Sequence, residues 1–473
     1  MLHLGWFVGR GYSVHAWNQS WSGSIGADWA LGERLIELAR AMDQACFDYV
    51  LIEDGSFVPD AYRGSSEWHL RNAATVPKLD PLPLVPLIGQ ATSHLGIVPT
   101  LCAAFYPPYL AARLAATLDH LTHGRVGLNL VTAHSDRTAQ NFGLDRHYEH
   151  DLRYEMADEW MEVVDRLWES WEPDAIVADS ETGTFADYRK VHPIDFAGRY
   201  YQSRGPLNAP PGPQRRPVIC QAGGSPAGMA FAAKHADTIV ARARGVAEAK
   251  VYRDEITALM TKQGRDPATC KVMFCVGIIL GETIEEARDK KRRLDAALVE
   301  NIEPRLAQLS FLSGIDFSCF DLDAPLPDIR TNASRSLTML YTSGTGAKTL
   351  REALSDPASG GVDFVGTPDS IAAEMGEAIA EIGGDGFMIT EGLIRAHGRR
   401  DLRRARAGAE AARPDAVVLQ PPTVPGQPAR ILRATGMFRV RHGLGASGPS
   451  LKATERRSWR FCASWMRWPA RRA

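Results

Sequence analysis

TLDHLTHGRVGLNLVTAHSDRTAQNFGLDRHYEHDLRY, residues 117–154, holds the end of a helix, a buried strand and a polar loop in one stretch. Leu114, Leu118 and Leu121 recur at helical spacing, and the pattern ends at Gly124. Residues 126–132 then form an apolar run of strand length. Such a run reads as a core strand whose carboxyl end delivers side chains to a site. The loop beyond it carries His134, Asn141, His147, His150 and Tyr154.

The same kind of run recurs along the chain, at 2–8, 49–53, 95–102, 126–132, 217–222, 238–241, 271–280 and 386–390. Helical patterns lie between them, at 32–44, 81–92, 108–121, 155–171, 226–235, 247–263 and 284–298. Strand alternating with helix predicts parallel βα units, and eight strands are what an α/β TIM (β/α)8 barrel needs. Two spans, about 172–212 and 300–365, are too long for ordinary βα connections and read as insertions that roof the pocket. Thr367 before Pro368 predicts a capped helix start leading into the last strand.

With 473 residues, 45% of them hydrophobic, the chain is long enough for one enlarged barrel domain. Its seven cysteines show no paired metal-ligand spacing and read as reduced core thiols, so a cytoplasmic protein is expected. No signal-peptide pattern and no run long enough to span a bilayer is visible, which argues against a membrane partner. The net charge of −2 conceals an asymmetry. From Ala396 onward 16 Arg and one Lys stand against four acids, a balance of +13, which leaves −15 for residues 1–395. A basic tail can bind nucleic acid, but this one has almost no lysine and no regular aromatic interleaving, so no specific nucleic-acid partner is expected.

Taken together, LDHLT-GR-N-VT, NFG, EHD-RY and A-DEW resemble the nitrilotriacetate/dibenzothiophene-sulfone monooxygenase family, within the bacterial luciferase-like superfamily. FDYVLIEDG (47–55), YPPYLAARL (106–114), GRYY-SRGPLN (198–208), PQRRPVICQAGGSPAG (213–228), FDLDAPLPDI (320–329), FVGTPDSIAAEM (364–375) and DGFMIT (385–390) fit in the same order. The resemblance covers about residues 1–392. It implies a two-component monooxygenase that takes FMNH2 from a separate NAD(P)H:flavin reductase. A peroxyflavin formed with dioxygen would then pass one oxygen atom to a small organic substrate. It also implies a homo-oligomer and no metal.

Within that resemblance particular residues acquire roles. Asp54, ending the second strand, is a flavin contact, or else the N-cap of the next turn. Asn129 and Thr132 can hydrogen-bond the flavin's pyrimidine edge, or satisfy nearby backbone. His134 is the candidate catalytic group, holding a flavin peroxide or moving a proton, although a lone loop histidine is ordinarily solvated. His150 and Tyr154, four apart at a helix start near Arg153, suit a phosphate or ribityl hydroxyls, or else His150 and Asp151 cap the helix. Gly223, Gly224 and Ser225, between a strand and a helix beginning near Pro226, form the FMN-phosphate candidate. There is no GxGxxG fingerprint after the first strand and no Walker-type loop.

Departures from the family pattern narrow the choice. Cys102-Ala103-Ala104-Phe105 replaces a hydroxyl-rich run before YPPY, making that wall more apolar. Gln308 stands where some long-chain alkane oxidisers carry histidine. Trp17, Trp21, Phe105 and Phe311 suit an apolar or aromatic substrate, or plain core. The rival readings are a deazaflavin-dependent oxidoreductase on the same fold and a metal-assisted hydrolase using His134 and His150. A third is an inactive remnant whose basic tail sticks to nucleic acid.

The family pattern stops near Arg395, where an eighth barrel helix is due. Residues 399–412 offer mostly Arg and Ala without an apolar stripe. Such text is what a GC-rich gene yields out of frame, so 396–473 is expected to be disordered or frameshifted. Re-reading the gene in the adjacent frame after the Arg395 codon should restore an amphipathic helix and a more soluble protein. Resequencing that confirms this frame, with 396–473 resistant to limited proteolysis, would make the tail a genuine module.

Overall fold

The computed structural model describes residues 2–9, 29–325, 329, 331–333, 349–356 and 361–390. The tail from 396, the expected eighth helix, Trp17 and Trp21 lie outside the described residues. The barrel strands are β1 (His3–Val8), β2 (Tyr49–Ile52), β3 (Gly96–Cys102), β4 (Gly127–Val131), β5 (Val218–Gln221), β6 (Thr238–Ala241), β7 (Lys271–Leu280) and β8 (Gly386–Ile389). Each pairs in parallel with its sequence neighbour, and β1 closes on β8 with Trp6 opposite Ile389. All eight coincide with the predicted apolar runs. A further parallel strand, Val362–Gly366, pairs with the outer half of β7, from Val276 to Leu280.

Alternation along the strands divides the core. Leu51, Val98, Cys220, Val240, Met273, Cys275 and Met388 point into the barrel and pack with Tyr49 and Phe7. A larger cluster fills the layer between strands and helices, including Trp160 and Trp168, both essentially buried. Because Val98 faces inward, the period of two places Thr100 and Cys102 inward as well, nearer the carboxyl end. The Tyr49 hydroxyl reaches across the interior to Thr238 Oγ1 at 3.2 Å. Gly5 leaves room beside that ring: a Cβ there would lie 2.6 Å from Met388 Cε and 3.4 Å from Tyr49 Cζ.

The helix predicted from 155 begins earlier, spanning His150–Glu169. Its DEW residues are structural ties. Glu159 accepts backbone N–H bonds from Arg199, Tyr200 and Tyr201 at 2.7–2.9 Å. Asp158 meets Lys234 and His235, and Trp160 Nε1 donates to the Tyr106 carbonyl. Arg125 of the GR motif likewise serves the opposite end of the barrel, donating to the carbonyls of Gly89 and Leu95. Thr367 caps the helix Pro368–Ile382 as its sequence predicts, in a reciprocal capping box with Ser370.

The span 172–212 holds two short antiparallel pairs, Ile176–Asp179 with Thr184–Ala186 and Phe196–Ala197 with Gln202–Ser203. The described part of 300–365 includes the helix Glu303–Ser313, whose buried leucines pack with Tyr62 and Phe317. Among the described residues no helix is long and apolar enough to cross a membrane. Tyr49→Phe, which removes the cross-barrel hydroxyl, should lower stability by about 1 kcal/mol in urea unfolding. An unchanged midpoint would show that Thr238 contributes nothing through this contact.

Candidate active site

The carboxyl ends of β2 to β5 converge on a mouth where inward polar groups replace the apolar layers beneath. Thr100 Oγ1 donates to the Ile52 carbonyl at 2.8 Å, so its lone pair faces Asn129 Nδ2, also at 2.8 Å. This chain of bonds fixes the orientation of the Asn129 amide. Asn129 Oδ1 is consequently a buried acceptor with no partner among the described residues.

Asp54 follows β2, and no helix begins there, so the N-cap alternative is not realised. Burial raises its carboxyl above the usual range, while the Gly55 amide and Lys78 oppose the shift. Lys78 itself is enclosed and lies 3.4 Å from Glu53. On the neighbouring strand, burial pushes the Cys102 thiol up to about 12, which keeps it protonated.

A second group forms around Tyr154. Its hydroxyl neighbours the side chains of Gln221, Ser225 and Thr132. Ser225 caps the helix Pro226–His235, accepting from the Gly228 amide at 3.2 Å and keeping its own O–H to offer. Space here is tight: a Cβ on Gly223 would lie 2.7 Å from Gln221 Nε2, and one on Gly228 would lie 2.9 Å from the Tyr154 hydroxyl. The Tyr154 and Ser225 hydroxyls thus meet a helix amino terminus beside the Gly223-Gly224 turn, a setting that favours negative charge, with the Gly223 amide donating to Gln221 Oε1 and the Gly228 amide to Ser225. His150 packs its ring 5.3 Å from Tyr154 and directs Nδ1 to Asp151 at 2.6 Å. Neither His150 nor Asp151 caps its helix; Glu149 holds the N-cap position without a side-chain bond.

His134 lies where the backbone turns sharply. Ala133 adopts a left-handed φ of 57°, costing about 1–2 kcal/mol for a residue with a Cβ. Buried Arg153 holds that turn, donating to the Ala133 carbonyl at 2.5 Å and to the Asn332 carbonyl at 2.6 Å. His134 then points into an aromatic enclosure, edge-on to Phe311 at 5.3 Å and to Phe57 at 5.9 Å. Its Nδ1 is sealed from solvent with no partner among the described residues. Burial, then the Arg153 charge, lowers its pKa to about 4, so the imidazole is neutral near pH 7. The alternative of a solvated loop histidine is not what the structure holds.

The mouth therefore gathers Asn129, Thr132, Tyr154 and Ser225, with Gly224 in the adjoining turn. His150 adjoins Tyr154; Asp54 lies apart, beyond β3. Sequence reasoning passed over Thr100, Gln221 and His147 as site residues. Thr100 is two residues beyond inward-facing Val98, so strand parity was the signal for it. Gln221 directly follows inward-facing Cys220, so parity gives no such signal, and only its place at the end of β5 marks it. His147 donates Nε2–H to the Thr132 carbonyl at 2.7 Å and stacks on Phe105, itself stacked on Phe142. No spacing rule foretells that bond. Among the described residues, no three His, Cys, Asp or Glu side chains gather as a metal site.

A closed parallel barrel with a polar mouth at the carboxyl ends of its strands is the architecture of the α/β-barrel enzymes. The chain belongs to the luciferase-like monooxygenase family, whose model matches residues 16–386. It is 38% identical over 355 residues to the dimethyl-sulfide monooxygenase of Hyphomicrobium sulfonivorans, covering 74% of each chain. It is 34% identical over 403 residues to the dibenzothiophene-sulfone monooxygenase of Rhodococcus erythropolis, covering 83% of this chain and 88% of that one. A crystal structure of a riboflavin lyase with modified FMN and riboflavin aligns with a TM-score of 0.78 at 28% identity. That alignment covers 87% of this chain and 92% of the other.

Burial makes stability depend on pH here. The folded pKa values of His134 and His147, both about 4, lie below the ordinary 6.5. The unfolded chain therefore binds more protons between these limits. Stability should be complete above pH ~6.5 and fall as the pH drops towards ~4. His134→Asn should flatten that fall in thermal unfolding measured across pH; a wild-type profile flat over this range would contradict the buried, neutral ring.

Proposed function

We propose that this chain is the oxygenase component of a two-component system, binding reduced FMN at the mouth and oxygenating a small organic substrate beneath the insertions. The observation that carries the reading is Asn129 Oδ1, a buried acceptor that matches a flavin pyrimidine N–H. The cradle at Gly223, Gly224 and Ser225, with Tyr154, supplies the matching site for the phosphate, and His150 and Thr132 border the path between them. Asp54 borders the β2 side. Reduced FMN, when bound, supplies the electrons and activates dioxygen.

The chain's own residues do the rest. Thr100 holds the Asn129 amide in one orientation, and Arg153 holds the turn that aims His134. His134, neutral and enclosed by Phe57 and Phe311, can donate one hydrogen bond or accept one proton at a reacting oxygen. The aromatic walls exclude water, which limits wasteful release of hydrogen peroxide. A separate NAD(P)H:flavin reductase as the source of reduced flavin, a homo-oligomeric state and cytoplasmic residence belong to the same proposal.

The protein should bind FMN, the reduced form more tightly, and consume no NADH by itself. His134→Ala should uncouple or abolish oxygenation while leaving flavin affinity nearly unchanged. Ser225→Asp preserves an N-cap oxygen but sets a charge beside the phosphate, so FMN affinity should fall by roughly tenfold or more. Flavin titration followed by fluorescence, with product and peroxide assays in the presence of a flavin reductase, checks all three. Tight NADH binding without flavin, or a requirement for zinc, would overturn the reading.

A further inference from the structure

His69 is almost fully buried, at 1% exposure, in the segment between β2 and β3. It packs edge-on to Trp68 at 5.2 Å and lies 6.3 Å from Phe311, the same ring that His134 meets from another side. Its Nδ1 lies 3.1 Å from the Ala74 carbonyl oxygen. A carbonyl can only accept, so Nδ1 carries the proton of the neutral ring. Nε2 is then a bare acceptor, and it has no partner among the described residues.

The bond at Nδ1 accounts for His69's part in shaping its loop, in which Ala73 and Thr75 are both held at left-handed φ, 47° and 66°. That task needs only one donor at the Nδ1 position. A second ring nitrogen, buried and unsatisfied in a ring whose centroid lies 6.3 Å from that of Phe311, is costly unless something donates to it. Burial lowers the ring's pKa, so it remains an acceptor at neutral pH.

We infer that His69 is a substrate-positioning residue, its Nε2 accepting a hydrogen bond from an O–H or N–H of a substrate whose apolar or aromatic body packs on Phe311. The inference rests on reading this mouth as the oxygenation site and adds a substrate class to it. A ligand that presents only acceptors here, such as a sulfone or carboxylate oxygen, sets lone pair against lone pair. A hydroxyl or amine-bearing one does not.

Phenol and toluene differ by the donor alone and serve as probes on the full chain saturated with FMN. Wild type should bind phenol about tenfold more tightly than toluene by calorimetry, the span of one neutral hydrogen bond. His69→Asn keeps a donor at the Nδ1 position and deletes Nε2, so the preference should vanish. His69→Gln, which restores an acceptor near Nε2, should recover part of it. In wild type labelled with 15N-histidine, the Nε2 resonance of His69 should shift on adding phenol and stay put with toluene. Equal binding of the two probes, binding of neither, a preference surviving His69→Asn or an unmoved resonance each overturns the inference. Failure of the flavin reading shows separately, as absence of FMN binding in wild type, and leaves the probe comparison to be run on the flavin-free protein.

Discussion

A closed parallel barrel must fill its own interior, and that constraint governs everything above it. Leu51, Val98, Cys220, Met273 and Met388 pack as a buried apolar cluster inside the barrel, a packed core that leaves the carboxyl ends of the strands as the place for a site. A polar crossing of the interior, from Tyr49 to Thr238, joins two hydroxyls that satisfy each other. Because strands alternate, the position two residues past an inward apolar side chain is inward too, and at the carboxyl end it becomes a floor. Thr100 and Asn129 are that floor. Their hydrogen bonds run down into the Ile52 carbonyl, which leaves Asn129 Oδ1 open to whatever lies above.

Strain and ion placement then shape the walls. The left-handed turn at Ala133 is the means by which a chain leaving β4 aims His134 at Phe311, and it persists because Arg153 grips its carbonyl. The same guanidinium grips Asn332 of the late insertion, whose side-chain amide donates to the Tyr148 carbonyl. Thr331 in turn donates to the Ser313 carbonyl, two residues from Phe311. The helix Glu303–Ser313 and the turn at Ala133 are thus linked through one buried cation and the short segment 331–332.

The barrel was legible because its signal is local. Apolar runs and helical stripes depend on neighbours in sequence, and even the cap at Thr367 follows from Pro368 beside it. The site was legible only in part. Asn129, Tyr154 and Ser225 lie where strand ends and helix starts place them, which the pattern foretells. His147 and His69 owe their character to bonds with the carbonyls of Thr132 and Ala74, and Arg153 reaches 179 residues along the chain to Asn332. Motif residues also mislead about role. Arg125, Asp158, Glu159 and Trp160 are among the most recognisable text in the chain, yet they tie helices and turns away from the mouth.

The protonation states of the walls follow from the same packing. Burial drives His134 and His147 to neutrality and holds the Cys102 thiol protonated. Burial also raises the Asp54 carboxyl, while Glu53 and Lys78 face each other as a pair. Asn129 Oδ1 at the mouth, and His69 Nε2 in the segment between β2 and β3, are left as bare acceptors with no partner among the described residues. A bare buried acceptor favours a ligand group that presents N–H or O–H over one that presents only lone pairs, while the helix terminus at Ser225, which favours negative charge, stands beyond Tyr154. The two ends of the mouth therefore differ in chemistry, one accepting hydrogen bonds and the other favouring negative charge, and a ligand that spanned both would carry a donor at one end and an anion at the other.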